Sequence, residues 1–194
     1  LEGRPMPVLP LEAVSRNVGR VTTFDAGRGC PFECSFCTII NVQGRKSRWR
    51  TADDVEAIIR ENHKRGLNCY FITDDDFARN RNWEAILDRV ILLRERDKIR
   101  ISLLIQVDTA CHRLPRFIEK AAKAGCRKVF IGLESVNRET LKETGKKQNN
   151  VEEYRTMLQA WRKVKAVTYA GYIIGFPNDT YESVMRDVEV LKKE

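Results

Sequence analysis

Three cysteines fall in one short run, Cys30-Pro-Phe-Glu-Cys34-Ser-Phe-Cys37. Thiolates separated by three and then two residues can gather on one face of a small loop and hold three corners of an iron–sulfur cube. No fourth cysteine follows at matching spacing. One iron would then stay open to a ligand from outside the protein. Other uses of close cysteines ask for more than the chain places nearby. Structural zinc takes four protein ligands, usually as paired Cys/His dyads, whereas His63, Cys69 and Cys111-His112 are scattered. A disulfide framework suits small secreted chains, and 194 residues with 42% hydrophobic content can bury a core without one.

Further polar residues recur at the ends of short apolar runs. Val21 to Phe24 leads through Gly27-Arg28-Gly29 into the cysteine segment. Cys69 to Thr73 ends in Thr73-Asp74-Asp75-Asp76, and Ile101 to Val107 in Gln106-Val107-Asp108. Val129 to Leu133 runs into Glu134-Ser135, and Thr168 to Ile174 into Gly175-Phe176-Pro177-Asn178. Ligands of parallel α/β folds bind beyond the carboxyl ends of the strands. These residues are therefore expected to share one rim.

The elements that position them alternate strand and helix. The apolar runs are short, and most are rich in β-branched or aromatic residues, as buried parallel strands are. A helical stripe follows each one. Val55, Ile58 and Ile59 lie between a Thr51-Ala-Asp-Asp54 start resembling a capping box and a Gly66 stop. Trp83, Ile86, Leu87, Val90 and Ile91 form the second stripe, and Phe117, Ile118, Ala121 and Ala122 the third, before Gly125. Tyr154, Met157, Leu158 and Trp161 form the fourth; Val184, Val188 and Leu191 form the fifth, after an Asp179-Thr-Tyr-Glu182 cap. All five stripes are expected to pack into the core. Five successive βα units imply a parallel sheet with right-handed crossovers. Periodicity alone leaves a barrel segment and an open doubly wound sheet open, although no Gly-x-Gly-x-x-Gly turn marks the latter.

The cysteine spacing, with Phe36 before the last cysteine, and the polar strand ends together resemble the radical S-adenosylmethionine (radical SAM) superfamily, from Val21 to the C-terminus. The resemblance implies an α/β fold, a partial (β/α) TIM-like barrel of parallel strands with five of the usual six βα units. It implies that Cys30, Cys34 and Cys37 ligate a [4Fe–4S] cluster whose open iron chelates S-adenosylmethionine. Reductive cleavage of that cofactor would give a 5′-deoxyadenosyl radical. Phe36 would lie near the adenine. Thr73, Asp74 and Asp75 match the polar stretch that meets the methionyl ammonium, with an Asx turn or helix cap the competing role for each aspartate. Glu134 would reach the ribose or methionyl portion, and Ile173 and Gly175 would pack beside the adenine. Asn178 stands where the family often has Glu. Gln106 and Asp108 would face cofactor or substrate from the same rim, and the basic stretch from Thr38 to Arg50 would cover the chamber.

Within the superfamily, the Cys30-Pro-Phe-Glu-Cys34 start, the Phe71 to Phe77 segment and the Gly175-Phe-Pro turn look most like the group with an N-terminal cobalamin-binding domain. Residues 1–19 would then be a proline-rich linker from an upstream domain. Residues 20–194 would be the radical SAM core, cut before its sixth unit, with the fifth strand an exposed edge. The expected activity is hydrogen abstraction or cobalamin-dependent methyl transfer on a small molecule, with an electron donor of flavodoxin or ferredoxin type. Two other readings compete: an RNA-modifying methylthiotransferase, and a non-enzymatic Fe–S or zinc-binding domain. The net charge of +8 speaks for a nucleic-acid partner, but the runs Arg45 to Arg50 and Lys142 to Lys147 are expected to be solvated loops. No apolar run approaches the roughly 20 residues that span a bilayer, and reduced thiols fit a cytoplasmic setting.

Overall fold

The computed structural model describes every residue except Glu2, Pro7, Arg45 and Glu194. The chain opens with α1 (Leu11–Ser15) and β1 (Val21–Phe24). A small antiparallel pair, β2 (Gly27–Arg28) and β3 (Arg48–Trp49), brackets the cysteine segment and α2 (Ile39–Val42). Then follow α3 (Ala52–Lys64), β4 (Cys69–Ile72), α4 (Trp83–Glu95), β5 (Ser102–Val107), α5 (Phe117–Lys123) and β6 (Cys126–Glu134). The chain continues through α6 (Arg138–Glu143), α7 (Tyr154–Lys163), β7 (Val167–Tyr172) and α8 (Tyr181–Leu191).

Five strands form one sheet in the order β1-β4-β5-β6-β7, and every neighbouring pair is parallel. Spatial order therefore equals chain order. A doubly wound sheet reverses direction at a switch point. Here every crossover steps the same way, which puts the helices on one face and makes the sheet an arc of a barrel.

Local chemistry sets the boundaries. At the start of α3 the Thr51 hydroxyl accepts from Asp54 N at 3.1 Å, while the Asp54 carboxylate accepts from Thr51 N at 3.0 Å. Two orphan donors of the first turn are thereby satisfied. Gly125 has φ 97°, and a Cβ there would sit 2.3 Å from the Ile101 carbonyl. Only glycine lets α5 turn directly into β6. Along β5, Leu103, Ile105 and Val107 are buried; along β6, Cys126, Val129, Ile131 and Leu133 are. Ile58, Ile59, Ile86, Leu87, Val90, Phe117, Met157 and Trp161 cover them from the helices.

Two expectations need correction. The α8 stripe is not core, because no residue of that helix is buried. Val184 and Val188 are only partly buried, and Leu191 makes partial contact with the core. The stretch from Thr38 to Arg50 is not a plain loop, since it holds α2 and β3; its first basic residue, Arg45, lies outside the described residues, as does Glu194. Residues of the opening segment also contact the rest of the chain. Val14 on α1 is fully buried, Arg50 Nη1 donates to the Arg4 carbonyl at 3.2 Å, and Arg65 donates to the Leu9 carbonyl. A helix this short has no stability of its own, so its anchoring depends on those contacts.

Candidate cofactor site

The cysteine segment leaves β1 through a bend that β4 holds in place. Ala26 N and Gly27 N donate to Asp74 Oδ1 at 2.7 and 2.6 Å, and Asn80 Nδ2 donates to Asp74 Oδ2 at 2.8 Å. A Cβ on Gly27 would come within 2.9 Å of that carboxylate. Burial nevertheless pushes Asp74 up to about 7, outweighing all three donors. One residue on, Asp75 Oδ2 accepts from Gly29 N at 2.7 Å. From the other side Arg50, itself buried, donates to the Asp25 carbonyl at 2.8 Å and to its carboxylate at 3.2 Å. Beyond the bend, Ser35 N donates to the Thr144 carbonyl at 2.9 Å, and Cys37 N to the Cys34 carbonyl at 3.1 Å.

All three thiols line one cavity of about 150 Å³ that opens at the strand ends. Cys34 is buried, Cys30 and Cys37 are half-buried, and none is in a disulfide. Burial pushes the Cys30 thiol up to about 11, with Asp76 and the other two thiols adding to it. Left alone it keeps its proton at neutral pH; a bound metal would displace that proton. Among the described residues no three His, Cys, Asp or Glu side chains are arranged to hold a single ion. A cluster cube takes its thiolates on separate irons and has no need of such convergence.

Strands β4, β5 and β6 supply the facing wall: Asp75, Asp76, Gln106, Asp108, Glu134 and, just beyond, Lys146. Asp108 takes a two-pronged ion pair from Arg79. The Asp76 carboxyl group accepts a long bond, 3.3 Å from Asp108 N. Burial, reinforced by the neighbouring Asp108 charge, raises Asp76 well above the usual carboxylate range. Gln106 Nε2 donates to the Asp74 carbonyl at 3.2 Å.

Glu134 ends β6 with φ 63°, beside a shift in register against β7. A non-glycine residue in this left-handed region costs roughly 1–3 kcal/mol and persists only where its surroundings demand it. Here the surroundings are Lys146, whose Nζ donates to Glu134 Oε1 at 2.8 Å, and Gly132. A Cβ on Gly132 would lie 2.3 Å from that Oε1. Lys146 Nζ also lies 5.8 Å from the centre of the Phe36 ring. The Phe176 ring stacks edge-on against Phe36 at 5.7 Å.

Cys30, Cys34, Cys37, Phe36, Asp75, Gln106 and Glu134 thus come together. Thr73, Asp74, Ile173 and Gly175 do not line the cavity. Thr73 binds the Phe24 carbonyl through both its amide and its hydroxyl, and Asp74 fastens the bend. Ile173 N donates to the Glu134 carbonyl at 2.9 Å, and Gly175 N to Asp179 at 2.9 Å. Sequence reasoning missed Lys146 and Gln148 as neighbours of the site, while Phe176 was expected at the rim without a role. Lys146 belonged to a basic run expected to be solvated, and Gln148 carries no periodic signal.

The chain is 30% identical over 177 residues to the bacteriochlorophyllide d C-8(2)-methyltransferase of Chlorobaculum tepidum, a match covering 86% of this chain and 38% of that one. It is 32% identical over 177 residues to an uncharacterized methyltransferase of Pyrococcus horikoshii, covering 86% and 35%. The fold superposes on that of TsrM, a radical S-adenosylmethionine methyltransferase from Kitasatospora setae solved with cobalamin and a [4Fe–4S] cluster. The TM-score is 0.84 at 22% identity, over 100% of this chain and 38% of that one. The chain therefore spans little more than a third of the length of these relatives. Residues 25–191 match the radical SAM superfamily, and with most of its length inside that match the chain belongs to this superfamily.

Proposed function

We propose that Cys30, Cys34 and Cys37 hold a [4Fe–4S] cluster, that S-adenosylmethionine lies across the cavity mouth, and that the protein transfers a methyl group to a small molecule. Cluster and S-adenosylmethionine are the cofactors of the superfamily. The observation that carries the reading is that the three thiols and the polar ends of β4, β5 and β6 share one cavity. When bound, the cluster supplies the electron that breaks the sulfonium carbon–sulfur bond.

The rest falls to the chain's own residues. Lys146 and Glu134 offer one charge of each sign where a zwitterionic methionyl group would approach. Phe36 and Phe176 offer an apolar edge for the adenine. Burial and the Asp108 charge favour the protonated form of Asp76, and Phe32 and Ile39 help exclude water from the cavity. Methyl transfer, rather than hydrogen abstraction as the end product, is supported by the names of the two relatives. Cobalamin would come from a domain outside this segment, and the electron from a flavodoxin or ferredoxin type of partner. No helix among the described residues is long and apolar enough to cross a membrane.

Anaerobic reconstitution tests the reading. The wild type is expected to take up one cluster, and the triple change Cys30→Ala, Cys34→Ala, Cys37→Ala to lose its visible absorption. Full cluster retention in the triple variant would sink the assignment. Glu134→Gln and Lys146→Met should each weaken S-adenosylmethionine binding about tenfold or more in calorimetry, the loss of a charge-assisted bond of roughly 1.5–3 kcal/mol. Iron content should not change.

A further inference from the structure

Gln148 lies between the cysteine segment and the end of β6, outside the motifs that carry the family resemblance. Its Nε2 is 3.7 Å from Cys34 Sγ, within range of an N–H···S bond. Its Oε1 is buried without a partner. The residue does not swing freely. Its backbone carbonyl accepts from Thr109 Oγ1 at 3.4 Å. Next to it, Asn149 Nδ2 donates to the Gly132 and Leu133 carbonyls at 3.0 and 2.8 Å and to the Tyr154 hydroxyl at 2.9 Å. Cys34 is the buried member of the three thiols. A thiolate on iron accepts and cannot donate, so the nitrogen of this amide, not its oxygen, must face the sulfur in the loaded protein.

We propose that Gln148 is a positioning residue that tunes the cluster, donating from Nε2 to Cys34 Sγ and raising the cluster's reduction potential. Hydrogen bonds to the sulfurs are among the groups that set such potentials. Reduction adds one electron and places more negative charge on the sulfurs, so a donor there favours the reduced form. The inference rests on Cys34 being a cluster ligand, as proposed above.

The experiment measures iron and sulfide content first, then the midpoint potential by EPR-monitored titration, in reconstituted wild type, Gln148→Leu and Gln148→Glu. Leu removes the donor at similar size; Glu keeps the shape and turns a negative group toward the sulfur. In Gln148→Leu the reduced-to-oxidised ratio at fixed potential should fall about tenfold, a shift of about 59 mV to the negative for a one-electron couple. Gln148→Glu should shift at least as far. Wild-type potential in either loaded variant overturns the proposal, while the wild-type cluster leaves the ligand assignment standing. Should neither variant load, wild type carrying 15N in its glutamine side chains must show a 15N coupling to the reduced cluster. Its absence overturns the inference. A wild type that takes up no cluster overturns both this inference and the reading beneath it.

Discussion

Strands β6 and β7 run side by side with the same polarity, yet only one is built into the interior. β6 has a strand on each flank and buries Cys126, Val129, Ile131 and Leu133. β7 has one neighbour, and its Val167 and Tyr169 are exposed. The helices divide likewise: α7 buries Tyr154, Met157 and Trp161, while α8 buries nothing. A stripe at helical spacing states which face can be buried; the partner decides whether it is. The cavity draws its walls from the cysteine segment and from β4, β5 and β6. From beyond β7, Phe176 reaches it by stacking on Phe36.

Paired truncations are the strongest way to break this contrast. Trp161→Ala should cost about 3–5 kcal/mol in urea unfolding, the range for a large aromatic in a core. Val188→Ala on α8 should cost under about 1 kcal/mol. Equal losses would mean that α8 is as integral as α7.

A pH series sharpens the contrast on the packed side. Asp74 is raised from 3.8 to about 7. A carboxyl raised in the folded state contributes stability that is fully present below about pH 4 and is lost as pH rises through about 7. The shift corresponds to something on the order of 4 kcal/mol across that window. Asp74→Asn keeps an acceptor for the two backbone amides but cannot titrate. Wild type should therefore lose stability relative to Asp74→Asn between about pH 4 and pH 7, measured as the difference between their unfolding midpoints. A difference that stays flat would mean that the carboxylate is at ease when ionised.

Glycines on the two strands separate binding from packing. Gly132→Ala would drive a methyl group into the Glu134–Lys146 pair, and S-adenosylmethionine binding should fall about tenfold, 1.4 kcal/mol. Gly171→Ala on β7 meets the Phe130 ring at 2.9 Å instead, and calorimetry should find its cofactor affinity unchanged. A modest effect is expected from Tyr172→Phe. It removes a 2.6 Å bond from the Tyr172 hydroxyl to Asp187 and should cost only about 0.5–1.5 kcal/mol.

Much of this fold was legible in the sequence because its signals are local. Val21–Phe24 could be delimited from β-branched and aromatic content, and α3 from its Thr51–Asp54 cap and Gly66 stop. The cysteine spacing pointed to one face of a small loop, where the three thiols do line a common cavity. What was not legible depends on partners distant in the chain. Asp74 and Asp75 are adjacent and chemically alike, yet one is consumed by the backbone of the bend while the other also lines the cavity. Only the parallel register of β1 on β4 decides between them. Lys146 looked like surface charge because nothing in its neighbourhood announces that Glu134 waits across a turn. Val184 and Val188 were expected inside because spacing carries no knowledge of what stands opposite.

The bonds that the amides of residues 26, 27 and 29 donate to Asp74 and Asp75 also bear on the order of assembly. Nothing in that clasp involves metal. A zinc finger acquires its shape by closing around its ion, so that loading and folding are a single event. Here the bend ahead of Cys30 is held by carboxylates at the end of β4, so the proposed cluster would not be needed to shape it. On the reading proposed above, iron and sulfide would be delivered to a bend already set, and a chelator that strips them should leave that bend standing.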